Sequence, residues 1–134
     1  MQGLLFIGED EKRLLFELSQ MSNPNHMRLT KLALTTGFRR SELLNLTWRN
    51  IDLEKSKIYI KRKECAASGS SSSMRIVPLP AKANMLLRSF ENKEGKVLTL
   101  TKGSARNGFD KARKRSGLET LRFHDLRHIA ISRM

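Results

Sequence analysis

The sequence predicts an α+β fold that is mainly α: a helical domain carrying one small antiparallel β-hairpin or sheet. Two patterns lead there. Apolar residues recur at helical spacing on both sides of the middle of the chain. Between those stretches the period drops to two over residues 57–63 and again over residues 75–79. The length of 134 residues suits one core of ordinary size, and neither half holds a complete core alone. The reading is therefore a single domain over residues 1–134.

The first helix is expected over residues 10–21, with Asp10 as N-cap and Leu14, Leu15, Leu18 and Met21 as its apolar stripe. Ser22-Asn23-Pro24-Asn25 breaks it. A second helix over residues 26–36 turns Leu29, Leu32 and Ala33 inward and ends at Gly37, placed for a left-handed C-cap. The third opens at Arg39 and Arg40, is anchored by Leu43, Leu44, Leu46 and Trp48, and closes near Trp48.

The first strand, residues 57–63, is rich in β-formers, and the second, residues 75–79, stops at a proline. Residues 64–74, with Ser68-Gly69 and the serines from Ser70 to Ser73, read as a long mobile hairpin loop. They have little apolar surface to offset the entropy of ordering. Helical pattern returns over residues 81–90 with Met85, Leu86 and Phe90 inward. Thr101 is placed as the N-cap of a helix over residues 102–116, ended by Gly117 and striped with Ala105, Phe109 and Ala112. A last helix starts near His124 and is still amphipathic at Met134, so the chain reads as cut rather than finished.

The balance of 26 Lys+Arg against 13 Asp+Glu leaves a formal charge of +13, and a polyanion is the natural partner. A membrane surface would call for a basic helix with exposed apolar bulk, which the basic stretches lack. No apolar run approaches a membrane span, and residues 1–10 lack the layout of a signal peptide. Cys65 is the one cysteine, which fits a reducing cytoplasm. The helix after Thr101 carries Lys102, Arg106, Lys111, Arg113, Lys114 and Arg115 against the single acid Asp110. So one-signed a run is expected to lie along the phosphate backbone of double-stranded DNA, joined by Arg40 and the hairpin cations Lys61 and Arg62.

Two short stretches carry chemistry. In Thr36-Gly37-Phe38-Arg39-Arg40-Ser41-Glu42 an arginine is held at a helix junction with a carboxylate one turn on, a fixed fork suited to a phosphate. In His124-Asp125-Leu126-Arg127-His128 the spacing places both histidines and the arginine on one helix face. That face has little apolar content, which favours a phosphate-handling site over a core histidine. The i, i+4 histidines also match a zinc-hydrolase helix, yet Asp125 stands where a glutamate base is needed and no third ligand is evident.

These stretches resemble the two arginine boxes of the catalytic domain of the tyrosine recombinase, or phage integrase, family. The order between them also matches: a helical opening, a hairpin ending in Val77-Pro78-Leu79, and a basic helix leading into Leu121-Arg122-Phe123-His124. The resemblance implies a tyrosine-recombinase-like helical core acting in a bacterial or phage setting. It implies site-specific DNA recombination by strand cleavage and rejoining through a covalent phosphotyrosine, with no metal and no cofactor. Arg39 and Arg127 then match the catalytic arginines and His124 the catalytic histidine, supported by Glu42 and His128. Counting forward from Ile60 puts the family's hairpin lysine at Lys63, with Lys61 its neighbour, whereas counting back from Val77-Pro78-Leu79 reaches a serine, so the lysine is either Lys63, Lys61 or lost from this hairpin. The family's nucleophile would lie past Met134, and its N-terminal DNA-clamping domain and the segments that assemble oligomers on DNA are absent from these residues. Tyr59, the only tyrosine, reads as a packing residue. The rival reading is a DNA-binding module without catalysis.

Overall fold

The two period-two stretches and the helical stripes resolve, in the computed structural model, into six α-helices, one short 3-10 helix (Trp48–Asn50) and three strands among the described residues, 8–61 and 74–133. The chain divides into two compact units, Met1–Asn45 with Leu98–Met134, and Leu46–Val97.

In the first unit α1 (Gly8–Ser19) buries Leu14 and Leu18. It starts two residues earlier than expected, so Asp10 is no N-cap. It sits with Glu9 and Glu11 in the first turn, where carboxylates oppose the positive end of the helix dipole. α2 (Asn25–Thr36) buries Leu29, Thr30, Leu32, Ala33 and Leu34 and packs on α1. Gly37 ends it as expected: φ is 75° and its N–H donates to the Ala33 carbonyl at 3.0 Å. Buried Thr36 is satisfied twice, its hydroxyl donating to the Leu32 carbonyl at 2.7 Å and accepting the Phe38 N–H at 3.1 Å. That pair of bonds turns the chain into α3 (Arg40–Leu44), which stops four residues before the expected Trp48.

The reason for the early stop is competition for the backbone. Val97 N–H donates to the Leu46 carbonyl at 3.0 Å and Trp48 N–H to the Gly95 carbonyl at 2.9 Å, so Thr47 pairs as extended chain with Lys96 and Trp48 opens a separate 3-10 turn. α5 (Lys102–Arg115) begins as read, with Thr101 Oγ1 accepting the Ser104 N–H at 3.0 Å, and buries Ala105, Phe109 and Ala112. It packs along α1. α6 (Phe123–Arg133) packs on α2 through Leu126 and Ala130, and its Phe123 meets Phe109 edge-to-face at 5.3 Å.

The second unit holds β1 (Ile51–Asp52), β2 (Lys57–Lys61) and β3 (Met74–Pro78), antiparallel in that order, with Ile58 opposite Val77 and Tyr59 opposite Ile76. β1 went unread because two residues carry no period. α4 (Ala81–Arg88) turns Ala83 and Leu87 inward, while Met85, expected inside, is 71% exposed. Asn84 sets the phase: its buried Nδ2 donates to the Leu53 carbonyl at 2.8 Å and to Ser56 Oγ at 2.7 Å. Phe90 lies beyond the helix end but is buried, as expected, against Trp48 at 5.8 Å. Residues 62–73, and with them Arg62, Lys63 and all but the end of the expected mobile loop, lie outside the described residues.

Candidate functional site

Arg39 is the last extended residue before α3, with φ −73° and ψ 154°. Glu42, three residues on, reaches back to accept the Arg39 backbone N–H at 3.0 Å, and its second oxygen lies 3.9 Å from Arg39 Nη1. This is one side of a capping box, since a guanidinium has no acceptor with which to return the bond. The backbone bond fixes where the arginine leaves the helix. The ion pair adds little, because the Arg39 side chain is 60% exposed. That exposure leaves the fork free to meet a ligand.

The second box uses the same device. Asp125 Oδ2 accepts the Arg122 backbone N–H at 2.8 Å, and Oδ1 lies 4.0 Å from Arg122 Nη2. Sequence reading gave Asp125 no role, although an acid three residues past a helix entry was there as a signal. His124 and His128 are both exposed, with ring centroids 4.7 Å apart and nearly perpendicular. Arg127 between them is half-buried, and its Nε is a buried donor with no hydrogen-bond partner among the described residues. Leaving such a donor unmet costs about 1–3 kcal/mol, and an anion oxygen would relieve it.

Gly37 brings the two boxes together. A Cβ placed on it would lie 3.3 Å from Ile131 Cγ1, 3.7 Å from Ala130 Cβ and 3.8 Å from the Arg127 carbonyl oxygen. The glycine that caps α2 thus also lets α6 approach the chain two residues before Arg39. Arg40 makes the second link, its guanidinium lying 5.2 Å from the centre of the Phe123 ring, immediately before His124. Burial, and then the neighbouring Arg106 charge, hold Arg40 below the usual arginine range, though arginine keeps its charge at neutral pH.

The cations of α5 do not form one face. Lys111 and Arg115 line an open cleft of about 730 Å³ with His26 and Asn107, whereas Lys102 and Arg106 are exposed elsewhere along the helix. Arg113, expected among the DNA-facing cations, is committed instead to the Asp110 carboxylate, with Nε at 2.8 Å, and to the Glu119 carbonyl. Its place at the end of α5 makes it a tie for the following turn. Lys114 also pairs with Asp110, at 3.4 Å. These partners hold the Asp110 carboxyl below the usual range, Arg113 foremost. Lys61 closes β2, its backbone paired with Met74. Among the described residues no three His, Cys, Asp or Glu side chains are grouped to hold a metal, so His124 and His128 stand as a pair.

A mainly helical fold with a small antiparallel sheet and two arginine boxes meeting at one glycine is that of the tyrosine recombinase catalytic domain. The chain belongs to the Phage integrase family, whose model matches residues 6–134. It is 38% identical over 103 residues to a shufflon-specific DNA recombinase of Escherichia coli, covering 76% of this chain and 25% of that protein. It is similar to the catalytic domain of bacteriophage HP1 integrase, with a TM-score of 0.69 and 26% identity, covering 95% of this chain and 68% of that one. It shares its fold with the Tn1549 transposon integrase solved in complex with circular intermediate DNA, with a TM-score of 0.64 and 17% identity over 97% of this chain and 53% of that one. The chain therefore spans about a quarter of the curated relative's length. No helix among the described residues is long and apolar enough to cross a membrane.

Proposed function

We propose that these 134 residues are part of the catalytic domain of a site-specific DNA recombinase that cuts and rejoins strands without a metal. In this reading Arg39 and Arg127 grip the non-bridging oxygens of one DNA phosphate. Attack on that phosphorus builds negative charge on those oxygens, and two positioned guanidinium forks meet it without reorganisation. A tyrosine oxygen forms the new bond to phosphorus while the bond to the 5′ oxygen breaks, and that oxygen takes up a proton. Reversal by a 5′ hydroxyl restores the phosphodiester and frees the tyrosine, so no ATP enters. His124 moves protons at the phosphate, Glu42 fixes Arg39, His128 flanks Arg127, and Lys63 is the donor to the leaving oxygen.

The observation that carries this reading is the packing of α6 against Gly37, with Arg127's carbonyl 3.8 Å from where a Cβ would stand. It supports a shared site for boxes far apart in sequence. Tyr59 is half-buried on β2 opposite Ile76, which suits packing, and the nucleophile is assigned to a tyrosine other than Tyr59. Lys102, Arg106, Lys111, Lys114 and Arg115 contribute charge toward duplex DNA. The parent is proposed to assemble as an oligomer on its site.

A gel assay on nicked suicide duplexes tests the reading. The 134-residue chain is expected to bind DNA and form no covalent adduct, while a parent chain holding a further tyrosine forms one that Arg39→Met or Arg127→Met abolishes. An adduct from the 134-residue chain that vanishes in Tyr59→Phe would overturn the assignment of the nucleophile.

A further inference from the structure

We propose that Arg40 and Arg106 form a phosphate clamp of their own, gripping one DNA phosphate distinct from the phosphate at Arg39 and Arg127. The inference rests on the recombinase reading and names a further contact of that site. Four side chains carry it. Arg40, first residue of α3, is half-buried with its guanidinium 5.2 Å from the centre of the Phe123 ring. Phe123 in turn stands edge-to-face on Phe109 at 5.3 Å. Arg106 precedes Phe109 by one turn of α5 and is exposed.

The ring contacts lead from Arg40 through Phe123 and Phe109 to the helix turn that carries Arg106, and no carboxylate lies in ion-pair range of either arginine among the described residues. Their mutual repulsion is felt at Arg40, where the Arg106 charge adds to burial in disfavouring the cation. Elsewhere the same helices neutralise such charges: Arg113 and Lys114 share Asp110. Stacking on an aromatic ring orients a guanidinium plane while leaving its outward N–H groups to donate. An oriented guanidinium with a second, exposed one on the neighbouring helix, and no counter-ion among the described residues, offers a socket for a doubly hydrogen-bonded anion. Arg40 follows Arg39 and Phe123 precedes His124, so the socket adjoins both boxes.

The test is fluorescence-anisotropy binding of the 134-residue chain to duplex DNA across a salt series, with Arg40→Met, Arg106→Met and the double variant. If the two arginines share one phosphate, each single change flattens the slope of log affinity against log salt by about 0.9, and the double by no more. Each also weakens binding on the order of tenfold at fixed salt. Unchanged slopes, or a double variant that flattens by about 1.8, would overturn the clamp. Wild-type chain that fails to bind duplex would sink the recombinase reading beneath it as well, which separates the two failures. If wild type binds and inorganic phosphate at equal ionic strength competes no better than chloride, the socket is for the DNA backbone. Phosphate saturating the Arg40 Nε–H signal with DNA affinity unmoved by the variants would assign it to free phosphate and overturn the proposal. Should Arg40→Met unfold, seen by circular dichroism, exposed Arg106→Met carries the test, beside Arg40→Lys, which keeps the charge but loses the planar stack.

Discussion

Arg127 is where stability and function pull apart. Its Nε is buried without an acceptor among the described residues, a cost the surrounding packing must carry. Arg127→Met keeps the stem and removes the unmet donor, so the melting temperature should stay level or rise, corresponding to about 1 kcal/mol. Duplex affinity measured in parallel should fall. A loss of both would mean that the guanidinium serves packing. At His26 burial lowers the pKa from the ordinary histidine value. Its ring lies so close to Gly108 that a Cβ there would stand 2.3 Å from Nδ1. With the folded pKa below the unfolded one, the unfolded chain binds the proton first as pH falls. The stabilisation is present above the unfolded pKa and drains away as pH drops through the folded one. Thermal melts should thus fall in temperature below about pH 6.5, and His26→Gln should flatten that dependence. Neither feature was legible in the sequence, because both depend on what another helix places against the side chain.

Among the elements, α3 and α6 share a way of starting. Each enters on an arginine whose backbone N–H is held by an acid three residues later, Glu42 for Arg39 and Asp125 for Arg122. Glu42→Ala and Asp125→Ala should each destabilise by about 1 kcal/mol, read from chemical denaturation. Their replacement by Gln and Asn should recover most of that, since an amide oxygen still accepts. Were the amide variants as weak as the alanines, the charge on Arg39 or Arg122 would be the interaction that counts. Gly37 joins the same two helices. Gly37→Ala meets φ of +75° and Ile131 Cγ1 at 3.3 Å together. It should therefore cost at least about 1 kcal/mol from the backbone alone. Loss of duplex affinity beyond that of an equally destabilised control, such as Thr101→Ala, would trace the loss to the separation of the boxes. The turn residue itself could be read from sequence as a C-cap. Its second use, admitting α6, could not.

For the whole molecule the governing quantity is a formal charge of +13 on 134 residues. Binding to duplex DNA should fall steeply with salt, because neutralised phosphates release counterions in proportion to their number. Arg113→Met should leave the salt slope unchanged while lowering stability, since its guanidinium is spent on Asp110 and the Glu119 carbonyl. A slope that flattens in that variant would return Arg113 to the DNA-facing set. Anisotropy titrations at several salt concentrations decide both.

The local pattern of the chain was enough for the helix stripes of α1, α2 and α5, for the caps at Gly37 and Thr101, and for the two arginine boxes. Each depends on residues within a turn or two of one another, where spacing alone settles the geometry. Tertiary pairing decided the rest. Extended bonding to residues 95–97 cut α3 short at Leu44, and Asn84's grip on Leu53 and Ser56 rotated Met85 to the surface. It also divided the cations of α5, whose composition reads as one basic face, among an internal tie at Arg113, an open cleft at Lys111 and Arg115, and an exposed Arg106 whose charge acts on Arg40. Net charge is a property of composition, but where each charge points is set by the neighbouring helix that claims or leaves it.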